Sequence, residues 1–260
     1  MKFMAWIAKD NERVGNPNVN VGGGFGAFGG ARSGAAVSSD ATRGFLARVY
    51  QMMALGLGVT GLVALLIASS PAAVEYIVAN RGVMMLLFVA QLVTVFAFTG
   101  LLNRVSAGVA GVMFFGYAAL SGVTFSMIFL VYTSASIAGT FFITAGAFAG
   151  LSAYGYLTKR SLDGMGSFLF MGLIGLVLAS IVNIFLGSPA IYWLTTFMGV
   201  IVFTGLAAYD TAKLKQLAAT ADVSGEQGRK LALRGALMLY LDFINLFLML
   251  LRIFGGRRRA

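Results

Sequence analysis

Seven apolar runs, at about 47–70, 82–102, 107–132, 136–157, 165–187, 190–212 and 233–254, occupy most of this chain, and each is long enough to cross a bilayer as a helix. Hydrocarbon offers no hydrogen bonds to the backbone, so a crossing segment must pair its N–H and C=O groups internally, as a helix does, or close into a barrel. Uninterrupted runs of this length select the helix. With 59% apolar and 11% charged residues in 260, little polar chain is left over for a soluble domain. The sequence therefore predicts an all-α membrane protein, a seven-transmembrane-helix bundle over 45–260, with short loops.

Residues 1–44 are rich in Gly, Asn, Ser and Ala and lack helical or strand periodicity, which predicts a flexible cytosolic tail. Its first eight residues hold too few apolar side chains before Lys9 and Asp10 for a signal-peptide core, so the tail is expected to be retained. Gly24-Phe25-Gly26-Ala27-Phe28-Gly29 fits a dinucleotide-binding pattern, but no strand precedes it and no helix opens after it. Chance in a glycine-rich stretch accounts for it. Small residues at helical spacing, Gly146 and Gly150 and the cluster Gly56, Gly58 and Gly61, are expected to let helices approach closely.

Basic residues set the orientation. Six Lys or Arg lie in the stretch to Arg48, Arg104 follows the second run, Lys159 and Arg160 the fourth, and five the sixth, whereas the opposite loops hold Arg81. The amino terminus is expected in the cytosol, and seven crossings put the carboxyl terminus outside. Arg252, Arg257, Arg258 and Arg259 oppose that ending, so the last segment either crosses despite them or enters and returns. The net charge of +10 is thus a topology signal, with no basic stripe interleaved with aromatics. Membrane lipid is the expected partner, and nucleic acid is not.

Cysteine and histidine are both absent, which removes disulfides, thiol nucleophiles, the usual zinc ligands, Ser-His catalysis and the imidazole switch. No cofactor is expected. The seventh run holds no lysine for a retinal Schiff base.

Against this background Asp210 and Asp242 stand out as the acidic side chains inside the apolar runs. A carboxylate in hydrocarbon costs roughly 3 kcal/mol on insertion scales, so its presence implies work. Two carboxyls meeting in a dry core cannot both be ionised; they hold one proton between them and change state with pH. Asp242 lies eight residues after Arg234 and ten before Arg252, or roughly 12 and 15 Å along a helix, near the middle of its run. Asp210 lies three residues before Lys213, so it is either one half of such a pair or a headgroup-level residue at the end of its span. Counting puts the two at different depths. Asn245, three residues after Asp242, is placed to hydrogen-bond that carboxyl.

Ala208-Tyr209-Asp210-Thr211, the earlier Asn183-Ile184-Phe185-Leu186, and above all Leu239-Tyr240-Leu241-Asp242-Phe243-Ile244-Asn245-Leu246-Phe247 through Leu251-Arg252 resemble the Bax-inhibitor-1 (TMBIM) family, in its bacterial branch. The resemblance covers about 45 to 255. It implies seven helices with the last one central and surrounded by six, and a pH-sensitive calcium leak. It also implies that Asp210 and Asp242 are the proton-sensing pair along the ion path, and that Arg104 is a latch bridging to Asp210. Arg104 has a plainer reading as a cytosolic anchor. Some relatives carry a glutamate in the second helix, where this chain has Gln91 and Thr94 as its polar candidates.

Three function classes follow. The first is a passive, proton-regulated cation pathway carrying calcium, held weakly by Asp210 and Asp242, since a hard divalent ion prefers carboxylate and carbonyl oxygen. The second is an intramembrane aspartyl protease, for which two membrane aspartates on adjacent helices are suggestive, although Tyr240-Leu241 stands where glycines are needed. The third is a regulator that binds other membrane proteins, such as proteases or survival factors.

Overall fold

The computed structural model describes residues 39–258, and the tail to residue 38, with its glycine-rich motif, lies outside them. The described chain is helical, with nine helices: α1 (Ser39–Ala68), α2 (Pro71–Ala79), α3 (Arg81–Leu101), α4 (Ala107–Phe125), α5 (Ile128–Val131), α6 (Ser134–Leu157), α7 (Asp163–Leu186), α8 (Pro189–Thr220) and α9 (Gly225–Phe254). Seven of them are long and apolar enough to cross a membrane, α4 continuing to Val131 through the short α5, and the protein is an integral multi-pass membrane protein.

The sequence punctuates these helices in a recognisable way. Ser70, Ser106, Thr133 and Ser188 cap α2, α4, α6 and α8, each hydroxyl accepting from a backbone N–H of the first turn. Between α7 and α8 the chain reverses in three residues: Gly187 takes the left-handed conformation at φ 59°, Ser188 caps, and Pro189 opens the helix.

Three helices overrun the apolar runs. α1 begins at Ser39, so six residues assigned to the tail are helical; α8 continues to Thr220 and α9 begins at Gly225. Hydropathy marks membrane depth, whereas helix propensity and intrahelical bonds set the helix end. Lys213, Leu214, Lys215, Gln216 and Leu217 are good helix formers that carry α8 beyond its apolar part. At the start of α9, Glu226 sits 3.7 Å from Lys230 one turn on, and its Oε1 accepts from the Ala107 N–H at the start of α4.

The spans are packed unequally. α9 packs against α1, α4, α6 and α8, and 61% of its most apolar stretch is buried. α3 rests on α4 and α7 on α8, with 6% and 11% buried, so most of their side chains face outward. Gln91 ties α3 to α4, its Nε2 donating to Thr124 Oγ1 at 2.7 Å, while Thr94 bonds the Ala90 carbonyl of its own helix.

Glycine packing departs from expectation. Gly146 and Gly150 face outward with open space around them, as do Gly58 and Gly61; of that cluster Gly56 alone makes a close approach, under the Phe114 ring. A G-x-x-x-G spacing establishes a smooth face and not which way it points. Around α8 the glycines that do admit neighbours include Gly155, Gly166, Gly199, Gly205 and Gly235.

The last segment is long and apolar enough to cross and does not turn back on itself. α9 is one continuous helix of 30 residues whose end lies at the α4–α6 connection. Thr133 N–H donates to the Gly256 carbonyl, Arg258 N–H to the Val131 carbonyl, and Gly256 N–H to Ser136 Oγ at 2.7 Å. Arg252 stacks on the Tyr192 ring at 5.1 Å. The basic ending is thus held by backbone pairing and an aromatic face.

Candidate functional site

Asp210 is carried by α8 and Asp242 by α9, an antiparallel pair joined by a four-residue turn. Their register is fixed where glycine on one helix receives a side chain from the other: Leu214 lies over Gly235, where a Cβ would come within 2.7 Å, and Met249 lies over Gly199, where it would come within 3.0 Å. In that register the turn of α9 bearing Asp242 faces the turn of α8 bearing Asp210. The carboxyl groups are placed to hydrogen-bond each other once one of them is protonated, and both residues are buried, 8% and 5% exposed. Ionised carboxylates are acceptors only, so this bond requires one hydrogen between them. The difference in depth counted from flanking charges disappears because α8 runs ten residues beyond Asp210.

The surroundings fix Asp210 from several sides. Gly155 of α6 presses on the Ala208 carbonyl, and Gly166 of α7 receives the Tyr209 ring. The next residue, Thr211, donates to the Ala207 carbonyl at 2.8 Å and is joined to the Tyr50 hydroxyl of α1 at 2.7 Å. Asp242 is less completely satisfied. Among the described residues its Oδ2 and Ser152 Oγ are the buried side-chain polar atoms without a hydrogen-bond partner.

Two expected neighbours are elsewhere. Asn245 Nδ2 donates one hydrogen to the Leu241 carbonyl at 2.8 Å, back onto its own helix, and makes no hydrogen bond to Asp242 among the described residues. Arg104 is exposed in the turn after α3 and forms no ion pair with either carboxyl among the described residues, so the latch implied by the resemblance is not made here. Its helix packs on α4, and the guanidinium-bearing residue is exposed. No cluster of three or more acidic, His or Cys side chains fit for a metal occurs among the described residues. A cation at the pair would have two carboxyl groups, and its other oxygens would have to be water or carbonyl.

On the opposite face of α9 lies a second polar cluster that the sequence did not single out. The Tyr240 hydroxyl meets Thr60 Oγ1 at 2.7 Å with Ser121 close by, while Thr60 Oγ1 reaches the carbonyls of Ala118 at 2.8 Å and Gly56 at 3.0 Å. Edge-to-face contacts with Phe114 and Tyr117 close around the Tyr240 ring. Tyr50 was likewise invisible beforehand, because its partner is 161 positions away.

A family profile described as "Inhibitor of apoptosis-promoting Bax1" matches residues 42–259. The inner membrane protein YbhL of Escherichia coli K12 is 52% identical over 215 residues, covering 82% of this chain and 92% of that protein. A protein of Deinococcus radiodurans is 43% identical over 218 residues, 84% of this chain and 93% of the relative. One of Borreliella burgdorferi is 42% identical over 214 residues, with coverages of 82% and 92%.

Proposed function

The chain belongs to the family of inhibitors of apoptosis-promoting Bax1, and from that premise we propose that it is a pH-regulated calcium-leak channel or transporter of the inner membrane, gated by the proton that Asp210 and Asp242 share. The juxtaposed carboxyl pair buried inside the bundle carries this reading. With its proton the pair is self-satisfied and holds α8 to α9. Without it, two adjacent carboxylates repel and need a cation between or beside them. The permeating calcium ion is one such cation, and the Arg104 guanidinium, swung in from the end of α3, is the other. Two carboxyl groups are too few for the six to eight oxygens of a tight calcium site, and weak binding suits a leak. The name of the Escherichia coli relative supports the inner (plasma) membrane, and the basic loops support a cytosolic amino terminus. The function is that of a non-enzymatic membrane protein.

The test is calcium flux into liposomes holding the purified full chain, titrated from about pH 6 to pH 8. The wild-type rate should change steeply over that range, and Asp210→Asn and Asp242→Asn should each flatten the change. Arg104→Ala should raise the leak at the pH where the pathway is closed. Unchanged profiles in both Asn variants remove the gate. Absence of any flux from pure liposomes would favour a regulator that acts by binding other membrane proteins.

A further inference from the structure

A cleft of about 500 Å³ opens between α1, α6 and α8 on the side of the bundle where α1 begins. Its volume falls within the about 300–1,000 Å³ usual for ligand sites. Arg43 and Tyr50 of α1 line one wall, Ser152 and Tyr156 of α6 the other, and Thr211 of α8 the floor. At its rim Ala153 is exposed on the outer surface of α6, so the cleft reaches the lipid-facing side.

The hydrogen-bonding inventory determines what kind of ligand fits. Thr211 gives its hydrogen to the Ala207 carbonyl, so in its 2.7 Å contact with Tyr50 the phenol is the donor and its hydrogen is also spent. Ser152 is 7% exposed, and its Oγ is buried with no partner. Its hydroxyl hydrogen is therefore available, together with the guanidinium donors of Arg43. A cation in this cleft would meet a fixed positive charge. An anion would find two unspent sources of donors, one of them charged.

The depth selects the source of that anion. Tyr156 lies one residue before the end of α6, and Lys159 and Arg160 follow it, which is the position of an interfacial aromatic. Lys215 Nζ donates to the Tyr156 carbonyl at 2.6 Å and stands 5.4 Å over its ring, adding a second positive charge behind the wall. The apolar part of the lining, buried Leu46 and Ala153 at the rim, suits a glycerol backbone and the first methylenes of an acyl chain.

We propose that this cleft binds one anionic phospholipid of the adjoining leaflet, its phosphodiester held by Arg43 and Ser152 and its glycerol end lying against Tyr50 and Thr211. The cleft is separate from the carboxyl pair described above, and lipid binding there does not depend on the gating.

The test is native mass spectrometry of the full chain in detergent after equilibration with phosphatidylglycerol, phosphatidylcholine or inorganic phosphate. The wild type should retain phosphatidylglycerol in preference to phosphatidylcholine. Arg43→Gln should weaken that retention about tenfold and Ser152→Ala severalfold, while Arg43→Lys should recover most of it. Arg81→Gln, at the start of α3, should change nothing and serves with helical circular dichroism as the folding control. Equal retention of the two lipids, or wild-type retention in both Arg43→Gln and Ser152→Ala, would overturn the proposal. So would displacement of the lipid by inorganic phosphate, which would make the cleft a site for the free anion.

Discussion

Tyr240 and Asp242 are two residues apart on α9, about 200° around the helix from each other, and they face opposite polar environments. Tyr240 points between α1 and α4, fully buried, with its hydroxyl bonded to Thr60 and its ring enclosed by aromatic edges. Asp242 points at α8, where its carboxyl meets Asp210 and its Oδ2 has no protein partner. A polar group whose bonds are complete fixes helices in one arrangement. A group that depends on a mobile proton has two arrangements of comparable cost. One helix thus carries a lock on one side and, on the function proposed above, a switch on the other, and the contrast lies in satisfaction and not in burial.

The contrast breaks most severely at the lock. Tyr240→Ala should cost about 3–5 kcal/mol through the cavity left between α1, α4 and α9, read as a lowered unfolding temperature in detergent. Tyr240→Phe keeps the ring and should cost only about 1 kcal/mol, with the pH response of calcium flux retained. Next comes the support of the switch. Gly155→Val would drive a side chain into the Ala208 carbonyl, costing about 1–3 kcal/mol and displacing the pH midpoint of the flux, because the turn that moves carries Asp210.

Asp242→Asn should alter stability by less than about 1 kcal/mol, since an amide supplies permanently the hydrogen that the pair otherwise borrows, while flattening the pH profile. Thermal unfolding and flux measured on the same preparation separate the two effects; a large stability loss with an intact pH profile would reverse the assignment of lock and switch.

The smallest effect belongs to Asp222, in the turn between α8 and α9. There the Ser224 hydroxyl and then its backbone N–H hold the carboxyl below its ordinary pKa. That contribution is complete above the ordinary carboxylate range and is lost only as pH falls through the lowered value, so it stays constant from about pH 6 to pH 8. Asp222→Ala should speed amide exchange at Ser224 and leave the pH profile of the flux unchanged.

Much of this molecule was legible beforehand. The seven spans follow from apolar run length. Asp210 and Asp242 declared themselves because a carboxyl in an apolar run is costly enough to be informative. Asn245 was misassigned because a three-residue spacing says that two side chains share a face but not whether the amide prefers its own helix carbonyl. Gly146 and Gly150 misled for a related reason, since spacing defines a stripe without naming the neighbour that covers it.

Local physics in the sequence determined the number of helices, their approximate depth and the presence of two membrane acids, because each depends on the solvation of a short stretch of chain. Tertiary structure alone decided which face of α9 meets which helix, that Leu214 seats on Gly235 and so brings the two carboxyls together, that Arg104 stays outside, and that Ser152 ends in a cleft with a hydrogen to give. Those outcomes rest on contacts between segments far apart in the chain, selected by how side chains and glycine gaps interlock across helices. No short window of sequence contains both partners.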